Sequence, residues 1–112
     1  RSNIIKYEYK NINVKNSLKM SDNDIKKYLI PEEIKNVGPF DIIIVDGPEG
    51  FRPEKPGRLI PYYWASQLSK KGTIIYGDDS SRKLENYCIN KFFKDKEKIL
   101  FKERHGCVKI IF

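Results

Sequence analysis

One apolar run in this chain, Ile42, Ile43, Ile44 and Val45, has no polar break. A β-rich run of that kind predicts a strand over Phe40–Val45 that is covered on both faces, as in a parallel sheet with helices on each side. Gly47-Pro48 stops it, because proline has no N–H to give a ladder. Thr73–Tyr76 predicts a second buried strand, ending in Gly77-Asp78-Asp79. Between the two, Leu59, Ile60, Tyr63, Trp64 and Leu68 recur at helical spacing. That helix should open near Pro56-Gly57-Arg58 and be closed by Lys70, Lys71 and Gly72.

The flanks follow the same logic. Ile4–Tyr9 alternates and reads as a short strand; Asn11–Met20 reads as a polar connection. Ser21 is placed to cap a helix through Asp24–Leu29, and Pro31 ends it or opens another turn over Glu32–Asn36. Ser80 or Ser81 should cap a helix running to Phe93, with Leu84, Tyr87, Cys88, Phe92 and Phe93 on its apolar side. Lys98–Glu103 and Cys107–Phe112 are two strands joined hairpin-fashion by Arg104-His105-Gly106. Alternating β and α elements imply a mostly parallel sheet, with the final hairpin adding one antiparallel strand at an edge. The expected fold is α/β: a three-layer domain, or the second half of one.

With 112 residues the chain suffices for one small domain. It begins at Arg1, which reads as a processed chain or part of a longer one. At 39% hydrophobic and 33% charged it has the composition of a folded globular protein. No apolar run approaches the ~20 residues that cross a bilayer. The net charge of +7 is dispersed. It describes a solvated lysine-rich surface or, more pointedly, attraction to a polyanion such as nucleic acid or an acidic polysaccharide. Cys88 and Cys107 lack metal-type spacing and read as free thiols, with their disulfide state left open.

Ligands of open α/β sheets bind beyond the carboxyl ends of the strands. If the two central strands are parallel neighbours about 4.8 Å apart, Asp46, Asp78 and Asp79 leave the sheet at one edge. Carboxylates that close repel one another, and a divalent cation would resolve the conflict. The plainer alternative is that Asp46 and Asp79 serve turns and a helix cap. Arg58, near a helix N-terminus at the same crevice, suits a carboxylate or phosphate, or else pairs with Glu49 or Glu54. Tyr62, Tyr63 and Trp64 form either a sugar-stacking face or core. His105, the only histidine, lies far along the chain from the acidic residues and is not expected to be catalytic. Neither G-x-G-x-x-G nor a P-loop lysine is present.

The string Asp46-Gly47-Pro48-Glu49-Gly50, then Pro56-Gly57-Arg58, then Tyr63 resembles the motif of plant glucuronoxylan 4-O-methyltransferases and their xylan-biosynthesis relatives. Asp79-x-x-Arg82-x-x-Glu85 also matches that family's pattern. The likeness covers Phe40 to Phe93 and fades on the flanks. One departure is that the family usually has His-Asp where this chain has Asp78-Asp79. A more distant likeness joins Lys71-Gly72-Thr73 through Asp78-Asp79 to the K-G-T…D-N segment of metal-dependent catechol-type O-methyltransferases.

Both families are class I methyltransferases that use S-adenosylmethionine. The resemblance therefore implies that residues 1–112 are the C-terminal part of a single Rossmann-like methyltransferase domain. The cofactor site of such domains is built mainly by a first half that these residues do not include, so this stretch alone should bind S-adenosylmethionine poorly. The implied reaction is methylation of a sugar hydroxyl, such as O-4 of glucuronic acid on a polysaccharide. Asp46 would be the base, or with Asp78 and Asp79 a ligand of a divalent metal. Arg58, Glu49 and Tyr63 would bind the acceptor, with Arg58 on the uronate carboxylate. The plant family works in the Golgi lumen; otherwise a cytoplasmic setting is expected. Two rivals stand beside this reading. One is a non-catalytic α/β module for acidic glycan or, less favoured, nucleic acid; the other is a small-molecule, catechol-type methyltransferase.

Overall fold

The structure, a computed structural model, describes residues 4–103 and 105–112. Three single-turn helices come first: α1 (Val14–Ser17), α2 (Asp22–Ile25) and α3 (Glu32–Lys35). Then follow β1 (Phe40–Val45), α4 (Leu59–Gln67), β2 (Ser69–Asp78), α5 (Lys83–Phe92), β3 (Glu97–Phe101) and β4 (Cys107–Ile111). The strands form one sheet in the order β1-β2-β4-β3. β1 and β2 are parallel, and β4 is antiparallel to both its neighbours. Three strands thus share a direction and β4 opposes them, an arrangement compatible with part of a Rossmann-like sheet. β4 is inserted between β2 and β3 rather than placed at the edge, so the outer strand on that side is β3.

Sheet register separates the two faces. Ile43, Val45, Ile75, Gly77, Val108 and Ile110 point to one side, since Ile43 pairs with Ile75, Val45 with Gly77 and Ile75 with Ile110. Helices α4 and α5 pack against each other, α4 also contacts β1 and β2, and the core lies between these helices and the sheet. The opposite face carries Ile42, Ile44, Tyr76, Ile99 and Phe101, all exposed; Ile44 is 71% accessible. Coverage of Phe40–Val45 on both faces is therefore corrected. An unbroken apolar run reveals affinity for a core but not how many layers are present.

Helix α4 is apolar nearly all round, and Leu59, Ile60, Tyr62, Trp64 and Ala65 are buried. Pro61 falls in its first turn, where the missing N–H breaks no intrahelical bond. It ends by Leu68, and Lys70-Lys71-Gly72 belong to β2 instead of closing it. There β2 carries extra residues relative to β1, since Phe40 pairs with Ser69 and Ile42 with Ile74. The Thr73 hydroxyl bridges the irregularity, donating to the Phe40 carbonyl at 2.6 Å and accepting from the Lys70 N–H at 2.9 Å. Gly77 is a packing requirement, because a Cβ on it would run into the Tyr62 hydroxyl and ring.

Two further expectations are revised. Ile4–Tyr9 forms no strand; Tyr7 and Tyr9 stack edge-on, and Tyr7 lies across Trp64 with ring centroids 4.7 Å apart. Aromatic packing, not a ladder, accounts for the alternation. The N-cap of α5 is Arg82, with no side-chain cap, rather than Ser80 or Ser81. Ser21 does cap α2, accepting from the Asp24 N–H at 3.2 Å. The N-terminal segment is tied to the outside of α4 and α5: the Trp64 indole donates to the Tyr28 carbonyl, and Lys91 pairs with Asp22. Cys88 and Cys107 are free thiols. Arg104, in the expected β3–β4 connection, lies outside the described residues. Among them, no helix is long and apolar enough to cross a membrane.

Candidate functional site at the carboxyl edge of the sheet

Because Val45 is paired with Gly77, Asp46 and Asp78 leave the parallel strands side by side. Asp46 is exposed and has no ion pair among the described residues. Its position, on a rigid strand end before the turn at Gly47-Pro48, fixes the backbone and leaves the carboxylate open to a ligand. A Cβ on Gly47 would meet nothing within 4 Å, so the edge beside Asp46 is open space.

Asp79 behaves differently. It has φ +55°, the left-handed region that aspartate tolerates better than most residues. Its carboxylate lies 3.1 Å from Arg58 Nη1 and 3.5 Å from Arg82 Nη1. Arg58 also donates through Nε to the Pro48 carbonyl at 3.0 Å and through Nη1 to the Asp78 carbonyl at 2.8 Å. Its side chain is only 6% exposed. The guanidinium thus clamps the turn after β1 to the end of β2. All the partners described for it belong to the protein itself. It does not pair with Glu49, whose carboxylate lies 3.1 Å from Lys55 at the surface.

Asp46, Asp78 and Asp79 do not assemble a metal site. Among the described residues, no three His, Cys, Asp or Glu side chains group so as to hold a metal ion. Two arginines already neutralise Asp79, which removes the like-charge conflict that called for a cation. The donor set therefore does not fit a divalent metal.

Tyr63 is brought elsewhere. Its ring tilts against Phe92 at 5.6 Å, and it lines hollows with Lys26 and, in one of them, Gly38, Pro39 and Ser69. Those last residues sit at the starting ends of β1 and β2, opposite Asp46. Trp64 and Tyr62 are core, so no aromatic trio stacks at the carboxyl edge.

Two residues set aside or left without a role in the sequence reading do reach that edge. Glu85 is completely buried, and neither carboxylate oxygen has a hydrogen-bond partner among the described residues. Its nearest cation is Arg82 Nη1, at 3.9 Å, too far for a hydrogen bond. Burial raises its pKa; the pull of its own backbone N–H, and then of Arg58 and Arg82, only partly opposes that. Asp79-x-x-Arg82-x-x-Glu85 is thus one cluster around the start of α5, and the three-residue spacing was the legible signal. His105 is distant in sequence, but the β3–β4 hairpin returns it to this edge, where its carbonyl accepts from the Ser81 N–H at 2.9 Å.

These elements border a hollow of about 480 Å3 between the Gly50–Pro53 loop and the start of α5, with Arg52, Arg82, Lys83, Glu85 and His105 in its lining. The edge as a whole therefore offers a bare carboxylate on one strand end and a cation-rich hollow nearby. Such an edge can take a proton at Asp46 and hold an anionic group in the hollow.

The fold is that of a mixed α/β protein with an open edge at the carboxyl ends of its parallel strands. Over 75 residues the chain is 33% identical to arabinogalactan O-methyltransferase 2 of Arabidopsis thaliana, a match covering 62% of this chain and 25% of that protein. The chain thus spans about a quarter of the length of that curated relative. No family model matches the sequence, and no solved structure does.

Proposed function

We propose that this chain is the C-terminal part of an S-adenosylmethionine-dependent O-methyltransferase acting on a sugar hydroxyl, with an acidic sugar such as a glucuronic acid residue of a polysaccharide as acceptor. The observation that carries the reading is Asp46, exposed and without an ion pair where β1 meets the open crevice. The likeness to a protein named as an arabinogalactan O-methyltransferase supports the reaction class.

S-adenosylmethionine, when bound, supplies an electrophilic methyl group on a sulfonium. A Cβ on Gly47 would meet nothing within 4 Å, and no residue here is assigned to hold the cofactor. The chain's own part is to position the acceptor and take its proton. A sugar hydroxyl is a weak acid, and Asp46 would take its proton while the bound cofactor, giving up its methyl group from sulfur, would leave as S-adenosylhomocysteine. The buried Arg58 clamp keeps the Asp46 turn in place while that happens.

The test is methyl transfer by the intact polypeptide that carries these residues, using labelled S-adenosylmethionine with acidic and neutral oligosaccharides. Asp46→Asn should lower kcat by about 10²–10⁴-fold. A variant that transfers methyl at the wild-type rate would remove Asp46 from the reaction. Salt-sensitive glycan binding by an intact polypeptide that transfers no methyl group would instead identify a non-catalytic module.

A further inference from the structure

We propose that the hollow between the Gly50–Pro53 loop and the start of α5 is a subsite for the carboxylate of a ring-sized organic acid, a role the sequence had pointed to Arg58 to fill. The inference rests on the proposed function only for the identity of the ring that carries the acid.

Charge comes first. Arg52, Arg82 and Lys83 bring three positive charges to the lining. Behind them, the Arg58 charge is cancelled by Asp79. Arg52 and Lys83 are exposed and have no ion pair among the described residues, so no carboxylate in view offsets their charge. The single acid in the lining is Glu85. Even ionised, it leaves the hollow with a surplus of two positive charges.

Glu85 lies behind this rim. Its carboxyl group is wholly removed from water and has no partner on another residue among the described ones. In its protonated form, which burial favours, it repels no anion. Held neutral beneath the rim, it leaves the rim cations free to attract a ligand carboxylate. The start of α5 adds to the attraction. Its N-cap, Arg82, makes no side-chain cap, and the helix dipole there favours an anion.

Size and shape fit a ring. About 480 Å3 lies in the range of small-ligand sites. Phe51 lines one wall and is more than half exposed, with Arg52 and Lys55 each 5.4 Å from its ring centre. An apolar ring face beside a cluster of cations suits a flat-sided ligand with one charged substituent. Because His105 and α5 both belong to the carboxyl edge, a ligand anchored here lies along the same edge as Asp46.

The experiment is titration of the intact polypeptide at low ionic strength with three probes: methyl glucuronide, methyl glucoside and inorganic phosphate. Methyl glucuronide should bind, the neutral glucoside should not, and phosphate should bind more weakly than the glucuronide. The exposed rim pair is tested together: R52Q with K83Q should weaken glucuronide binding at least about tenfold, with the thermal transition unchanged. E85Q should keep glucuronide binding, because the residue beneath the rim stays uncharged. Wild-type affinity in the R52Q/K83Q protein, or phosphate binding as tightly as glucuronide, would overturn the subsite. Glucuronide binding that needs these residues in a protein transferring no methyl group would uphold the subsite and sink the transferase reading.

Discussion

Arg58 and Asp79 form a nearly buried ion pair, 3.1 Å between Nη1 and Oδ2, in which one guanidinium also holds the carbonyls of Pro48 and Asp78. Three segments far apart in sequence are thereby joined at a point: the turn after β1, the start of α4 and the end of β2. The pair is a structural strut beside the site, and its position explains why the Asp46 turn can be held rigid although Asp46 itself is bare.

Arg58→Lys should therefore act on folding rather than on acceptor choice. The ammonium keeps the charge but cannot span Pro48, Asp78 and Asp79 together, and the loss should be about 2 kcal/mol. Thermal unfolding reads this directly. Acidic and neutral acceptors should lose activity in the same proportion; a selective loss on the acidic one would return Arg58 to the acceptor site.

Asp46→Asn should leave stability within about 0.5 kcal/mol of wild type, because the side chain is exposed and has no ion pair to break. Together with the loss of methyl transfer expected above, this separates a chemical role from a turn-forming one. A marked drop in the melting temperature would show that Asp46 shapes the turn.

The two apolar faces of β1 and β2 should differ sharply. Ile75 has no accessible surface, and Ile75→Ala should cost about 2–5 kcal/mol. Ile44 is exposed on the other face, and Ile44→Ala should cost less than about 1 kcal/mol. Equal losses in denaturant unfolding would mean that the bare face is covered.

Glu85 supplies a pH prediction. Its pKa is raised in the folded state by burial, so the folded state holds the proton more tightly than the unfolded one. The favourable contribution is complete below the ordinary glutamate range and is lost as pH rises through the raised value. Arg58, Arg82 and Asp79 face it directly, while Arg52, Lys83 and His105 share its hollow. Glu85→Gln does not titrate, so its melting temperature relative to wild type should climb between pH 4 and pH 8. A constant difference across that interval would mean Glu85 is not perturbed.

Tyr62 and Gly77 give the last prediction. The Tyr62 hydroxyl is buried without a partner among the described residues. Tyr62→Phe should be neutral or stabilising by up to about 1 kcal/mol. Gly77→Ala should destabilise by about 2–3 kcal/mol through overpacking. Calorimetry on the two single variants decides the matter, and a stable Gly77→Ala protein would contradict the close approach.

Periodicity carried much of this architecture. Phe40–Val45 and Thr73–Tyr76 marked β1 and the heart of β2 as short β-rich runs, and the helical spacing of Leu59 to Leu68 marked α4. What escaped depended on partners that local pattern does not name. Alternation over Ile4–Tyr9 arose from aromatic packing onto Trp64, which a period of two cannot distinguish from a strand. Arg58 was placed near the right crevice, yet its burial depends on Asp79 adopting a left-handed turn and reaching back across 21 residues. His105 was set aside for its sequence distance, and only the return of β4 along β2 shows that distance to be irrelevant. In the site, Asp46 was legible from the strand end, whereas the cation-rich hollow requires the loop, the helix start and the hairpin to meet.

The closeness of Gly77 to Tyr62 also limits how this chain can change over generations. A methyl group at position 77 collides with the tyrosine already in place and also comes within 3.1 Å of Val108. Shrinking the fully buried residue 62 below phenylalanine opens a cavity. Two sites fifteen residues apart are therefore one hereditary choice, and either change made alone passes through a less stable ancestor.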